Sequence, residues 1–174
     1  GDASVADGVS VAGRGLGAAL RAGLLASTGA YVSVLLPGSS YTPEKIERQV
    51  EYMLRMDLQD AVLFCDHVCH TDGMTPGLVT LPSIDPAVVW ERLFAGLDLR
   101  FSGLLLPRSA FDSLVLPMRG DVGPALFAFC VELSRRTPFV GMAQALTSVQ
   151  DARAFPDNRS LWREVHASVL AEYL

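Results

Sequence analysis

"YVSVLLPGSSYTPEKIERQV", Tyr31 to Val50, is the stretch whose reading decides the fold. Tyr31 to Leu36 is a nearly continuous apolar run, the pattern of a buried strand. Pro43 followed by charged residues marks a helix start, with Thr42 as N-cap and Pro43 at the first helical position. A strand passing directly into a helix places Pro37 to Tyr41 at the C-terminal edge of a sheet, where open α/β proteins bind their ligands. Pro37, Gly38, Ser39 and Ser40 carry no charge and no metal-binding group, so two hydroxyls and the backbone are all this link offers. Within the helix, Ile46, Val50, Met53, Leu54 and Leu58 form an apolar stripe, and Glu44, Lys45, Glu47, Arg48 and Glu51 read as the solvated face.

Working outward, the pattern repeats. Gly8 to Ala12 reads as a short strand, and alanine and leucine at helical spacing predict a helix from about Leu16 to Ser27, with Gly29 at its exit. Downstream, "DAVLFCDHV" reads as a buried strand and "HTDGMTPG" as a turn centred on Asp72-Gly73. A loop or small hairpin leads to a helix over Pro86 to Ala95, then "LRFSGLLLP" as a strand and "RSAFDSL" as a helical turn. Val122 to Arg136 predicts a long apolar helix whose terminal Arg135 and Arg136 suit its C-terminal carbonyls. "PFVGMAQAL" gives a last strand, and Ser160 to Tyr173 a closing helix. Alternating strands and helices imply one α/β domain over residues 1–174, a sheet with helices on both faces.

Composition narrows the function. Half of the 174 residues are hydrophobic and 19% are charged, which argues for a packed globule. A net charge of −5 offers no broad attraction for a polyanion, so nucleic acid is not an expected partner. The longest apolar stretches fall far short of the roughly 20 residues that a membrane helix needs. With no secretory signal at the start, and three cysteines at no disulfide spacing, the expected setting is cytoplasmic with reduced thiols.

Several motifs invite a chemical reading and then weaken it. In "CDHVCHTD", strand geometry puts Cys65, His67 and Cys69 on one face and Asp66 and His70 on the other, a poor arrangement for tetrahedral zinc. Asp66 is left as a ligand-contact candidate. No Gly-X-Ser-X-Gly elbow supports a nucleophile at Ser39 or Ser40. "GRGLG", Gly13 to Gly17, precedes a helix but lacks the lysine of a P-loop and the full dinucleotide fingerprint. The Asn158-Arg159-Ser160 sequon matters only in a secreted chain.

Taken in order, "GLGAALRAGLLASTGAYVSVLL", "YTPEKIERQVEYM", "AVLFCDHVCHTDG" and "FSGLLLPRSAF" resemble consecutive segments of family 2 glycosyltransferases of the GT-A fold, covering most of residues 12 to 111. The resemblance implies a single-domain, GT-A-like (Rossmann-like) mixed sheet, a nucleotide-sugar donor, and an Asp-X-Asp loop whose carboxylates hold a divalent cation on the diphosphate. Here Leu36, Pro37, Gly38 and Ser39 occupy that loop, and Tyr41 stands where tryptophan is common, so no metal or other cofactor is expected. Beyond Phe111, Pro117, Met118, Arg119 and apolar residues replace the acidic motifs that would supply the base, leaving Asp121 as the nearby carboxylate. The chain also starts after the strands that open the family fold, with "GDAS" at Gly1 to Ser4 as a faint remnant.

The expectation is therefore a degenerate, non-catalytic glycosyltransferase-like domain with a recognition, scaffolding or oligomerisation role. It would contact a nucleotide sugar or glycan through Gly38, Ser39, Ser40, Tyr41 and Arg108, and a second copy or partner chain would cover a sheet edge. The alternative is an active, metal-independent transferase using Asp121 or Asp66 as base.

Overall fold

The structure, a computed structural model, describes residues 15–95, 97, 99–112 and 122–150. The strand expected at Gly8 to Ala12, the closing helix, the Asn158 sequon, "GDAS", the Pro117 to Arg119 segment and Asp121 all lie outside the described residues.

Helix α1, Gly15–Ala26, leads into β1, Tyr31–Val32. The strand expected through Leu36 pairs only over these two residues, with β5, Leu106–Pro107, in antiparallel register. From Ser33 to Leu36 the chain is held differently. Ser33 Oγ donates to the Leu104 carbonyl at 2.8 Å, and the Leu36 amide donates to Ser102 Oγ at 3.0 Å. These four residues form a strap leading to the turn at Pro37-Gly38.

The link beyond that turn is itself a strand. Ser39–Tyr41 forms β2 and pairs antiparallel with the end of β6, Phe139–Gln150. Helix α2 runs from Lys45 to Arg55, two residues later than expected, with Pro43 and Glu44 in a turn and Glu44 at the cap without a side-chain bond. Thr42, the expected cap, instead donates its amide to the Leu146 carbonyl at 3.0 Å. The far end of α2 closes through Asp57 in the left-handed region, φ 56°, with the Leu58 amide reaching back to the Met53 carbonyl at 2.9 Å.

The main sheet has the order β2-β6-β3-β4. Strand β3, Val62–His70, lies parallel to β6, while β4, Gly77–Val79, returns antiparallel on its other side. The sheet is mixed as predicted, with one parallel pair at its centre. Opposite Phe64, Gly141 leaves room for the ring: a Cβ there would come within 2.9 Å of the Phe64 side chain. "LRFSGLLLP" departs from expectation, because Phe101–Gly103 is a 3-10 turn and only Leu106–Pro107 joins a ladder. The remaining helices are α3, Val89–Phe94, preceded by a 3-10 turn at Pro86–Val88, then α4, Ser109–Asp112, and α5, Val122–Ser134.

Strand β3 divides two cores. Val62 and Phe64 join Leu104, Leu106, Phe129 and Phe139 against α3 and α5. The rings of Phe101 and Phe129 meet edge to face at 5.4 Å, a favoured aromatic geometry. Leu63 and Cys65 face α2, with Met53, Leu105, Met142 and Leu146. Helices thus cover both sides of β3.

Candidate functional site

The predicted stripe of α2 is only in part its buried face: Met53 is buried and Val50 and Leu58 pack half-buried beside it. Lys45, Gln49 and Met53, spaced four apart, are the buried positions, whereas Ile46 and Leu54 are exposed. Lys45 was expected in solvent and has 0% exposure. Its Nζ donates to Gln49 Oε1 at 2.7 Å, Ser33 Oγ at 3.0 Å and the Leu104 carbonyl at 3.3 Å. Three hydrogens meet three acceptors, which is how a buried ammonium survives the loss of water. Gln49 is oriented in turn, its Nε2 donating to the Gly103 carbonyl at 3.1 Å.

This polar seam continues into the sheet. Tyr41 presents its ring to Lys45 Nζ at 4.4 Å from the centroid, and its hydroxyl shares a 2.9 Å hydrogen bond with Ser33 Oγ. Across β6, Tyr41 is in register with Thr147, and Thr147 with His67 of β3, so the three stand in one row. Cys65 Sγ lies 3.5 Å from Thr147 Oγ1 and donates to the Gly103 carbonyl at 3.4 Å. Among the described residues no carboxylate pairs with Lys45. Burial pulls its amine down to about 8, with the Cys65 thiol acting weakly in the opposite direction. Burial also raises the Tyr41 phenol above its ordinary value, partly offset by the Ser33 hydrogen bond.

The expected site residues fall in three places. Gly38, Ser39, Ser40 and Tyr41 are contiguous, on a turn closed by the Ser39 amide on the Leu36 carbonyl at 3.1 Å. Gly38 takes φ 78°, a left-handed conformation open to glycine, and its carbonyl accepts the Gln150 amide at 2.8 Å. Ser40 is exposed and Ser39 half-buried, so these hydroxyls are what the turn presents.

Arg108 is elsewhere. It follows β5, which pairs with the start of β1, and its guanidinium holds the last carbonyls of α1 through Leu24 O at 3.1 Å, Ser27 Oγ at 3.0 Å and Ser27 O. Asp66 sits at a register break between β3 and β6, 6% exposed, with Oδ1 accepting the Leu81 amide at 2.8 Å. Asp121 lies outside the described residues.

Among the described residues, no group of three or more His, Cys, Asp or Glu side chains is placed to hold a metal. All three cysteines are free. Among the same residues, no helix is long and apolar enough to cross a membrane. A shallow groove of about 400 Å³ lies between Pro86, Trp90, Arg135 and Arg136, and another of about 410 Å³ runs along Glu47, Glu51, Met142 and Gln144. Neither is lined by the Gly38 to Tyr41 turn.

The seam around Lys45 is the feature that hydropathy missed. Its signal was present in phase rather than in polarity: Lys45 and Gln49 share the helical face of Met53.

No protein-family model matches the sequence, and no curated protein matches it. In fold, the chain is similar to the S. aureus TarS fragment 1–349 solved in complex with UDP-GlcNAc, with TM-score 0.59 and 11% identity over 87% of this chain. It spans 44% of that chain, less than half its length. At this identity the likeness concerns the fold alone, which is mixed α/β.

Proposed function

We propose that this chain is a single, degenerate glycosyltransferase-like domain that recognises a nucleotide sugar or glycan without transferring it. Its setting would be cytoplasmic, as a recognition or scaffolding element of a sugar-modifying system. A second copy or a partner chain would cover an edge of the sheet.

The observation that carries this reading is the Leu36 to Tyr41 segment. A transferase of the resembling family needs carboxylate oxygens there to hold a hard cation. Here the segment is carboxylate-free, and its backbone is taken up by the Leu36 turn, the Gly38 to Gln150 bond and the pairing of β2 with β6. What it can do chemically is donate. The Ser39 and Ser40 hydroxyls suit phosphate or sugar oxygens, while Tyr41 beside them in sequence is engaged with Lys45 and Ser33. Arg108 would have to release the carbonyls of α1 to reach a diphosphate, and Asp66 its bond to Leu81, before either could act on a ligand.

Thermal unfolding with a panel of nucleoside diphosphates and nucleotide sugars, with and without manganese, tests the reading. A ligand selective for the folded chain must raise its Tm once its concentration exceeds Kd. The expected result is a nucleotide-sugar shift that manganese leaves unchanged, Ser39→Ala reduces, and no sugar transfer accompanies. Sugar transfer that Asp121→Ala or Asp66→Asn abolishes would replace this reading with the active enzyme. A multi-angle light-scattering mass equal to one chain would remove the second copy.

A further inference from the structure

The register of the main sheet sorts the side chains near the turn into two faces. Tyr41, Thr147 and His67 stand in one row, on the side of α2 and the Lys45 seam. The next row joins Ser40 of β2, Ser148 of β6, Val68 of β3 and Leu78 of β4, each directly opposite its neighbour. Successive strand residues point to opposite faces, so this row looks away from α2. Ser40 and Leu78 are exposed, Leu78 by 62%, while Ser148 and Val68 are half-buried.

Two residues further on, the same face carries Gln150 paired with His70, both exposed. The Gln150 side chain lies over Gly38, where an added Cβ would meet its Cβ at 3.8 Å and its Oε1 at 3.9 Å. Directly opposite side chains stand about 5 Å apart and rows on one face about 7 Å apart. The two rows therefore make an open floor continuous with the turn.

That floor carries hydroxyls, an amide, an imidazole and hydrocarbon, and no cation. Strands β2, β3, β4 and β6 contain no lysine or arginine. Lys45 is buried toward α2, and Arg108 is engaged on the end of α1. Inward along the same face of β3 the next side chain is a carboxylate, Asp66. A diphosphate accepts hydrogen bonds only and brings negative charge, for which this face has no counterpart. A pyranose ring fits better: its hydroxyls both donate and accept, as do Ser40, Ser148, Gln150 and His70, and its C–H face is apolar, as are Val68 and Leu78.

We propose that the row Ser40, Ser148, Val68 and Leu78 is the subsite for an uncharged pyranose ring, with Gln150 and His70 at its outer margin, so that recognition falls on the sugar and not on the diphosphate. This rests on the recognition reading above and narrows it to the part of the ligand that is held. The sugar of a nucleotide sugar and the same sugar in a glycan meet the same floor.

Amide spectra of the full chain, recorded with methyl pyranosides of the gluco, galacto, manno and 2-acetamido series up to roughly 50 mM, reach millimolar binding. The matching nucleotide sugars and nucleoside diphosphates form the other two arms. One pyranoside should move the Val68, Leu78 and Ser148 signals, its nucleotide sugar should bind within about threefold of it, and the diphosphates should leave those signals still. Ser148→Ala should weaken the pyranoside about fivefold, the scale of one lost hydrogen bond, and Leu78→Ser at an exposed site should do the same. Movement of the three signals by a diphosphate alone, a nucleotide sugar binding more than about tenfold tighter than its pyranoside, no response to any pyranoside, or full affinity in both variants would each overturn the subsite. The two readings fail separately. A nucleotide-sugar shift in Tm that Ser39→Ala reduces, with the three signals unmoved, sinks the subsite and keeps recognition at the turn; sugar transfer with those signals moved sinks the non-catalytic reading and keeps the subsite.

Discussion

The two sides of β3 solve the same packing problem with different materials. Toward α3 and α5, Phe64 sits among Leu104, Phe129 and Phe139, and stability there comes from removing hydrocarbon from water. Toward α2, Cys65 sits near a lysine, a glutamine, a tyrosine and two backbone carbonyls, each requiring a partner in a particular direction. The apolar side tolerates exchange at constant volume and resists cavities. The polar side resists loss of any single partner, because what remains is an unsatisfied buried group. Redundancy separates the two regions: hydrocarbon contacts are numerous and individually small, hydrogen bonds few and individually necessary.

The largest expected effect probes the apolar side. Phe129→Ala, at a ring 2% exposed and packed on Phe101 and Phe111, should lower unfolding free energy by about 4 kcal/mol in a urea titration. A loss under 1 kcal/mol would mean that this core collapses to fill the gap. On the polar side, Gln49→Leu removes one of three acceptors for the Lys45 ammonium and leaves the Gly103 carbonyl bare of its Gln49 bond. The expected cost is about 2 to 3 kcal/mol despite the gain in hydrophobicity. The double variant Gln49→Leu with Lys45→Met should recover part of it, since no charge is then stranded. Failure to recover would show that the seam acts as separate bonds rather than as a unit.

The third expectation concerns pH. The amine of Lys45 is lowered in the folded chain, so between about 8 and 10.5 the unfolded chain binds more protons, and stability rises with pH across that window. The gain should be on the order of 3 kcal/mol and absent in Lys45→Met, as read from denaturant midpoints. From about pH 10 the raised Tyr41 phenol opposes this rise, because there the folded chain holds the extra proton. The smallest effect is at the turn. Gly38→Ala has room beside Gln150, whose Cβ would lie 3.8 Å from the added methyl, but must adopt φ 78°, at about 1 kcal/mol.

This contrast also explains what could be read from the sequence alone. Val62 to Cys65 and Phe139 to Met142 are apolar runs, and hydropathy located both as strands. The span of α1 was legible from alanine and leucine spacing and its Gly29 exit. The strap was not: Ser33 to Leu36 looks like a strand, but its partners are Leu104 and Ser102, about 70 residues away and invisible to a local pattern. The α2 face was misjudged for a related reason. Lys45 and Gln49 are buried because acceptors wait for them at Ser33, Gly103 and Leu104, and a periodicity rule assigns such residues to solvent. At the candidate site, the missing carboxylates of Leu36 to Ser39 were plain in the sequence. The commitment of Arg108 to α1 was not, since it depends on β5 lying beside the start of β1.

A solitary buried lysine gives the chain a built-in record of its own opening. Apart from any chain-terminal amine, an acylating reagent finds no ε-amino group on the folded surface, because the one that exists has 0% exposure. Likewise, a protease specific for lysine has one internal peptide bond to cut, and that bond lies in the first turn of α2. Each covalent event at Lys45 therefore counts one excursion in which α2 parts from the sheet. A short pulse of reagent, read by mass, would time those excursions without an engineered label.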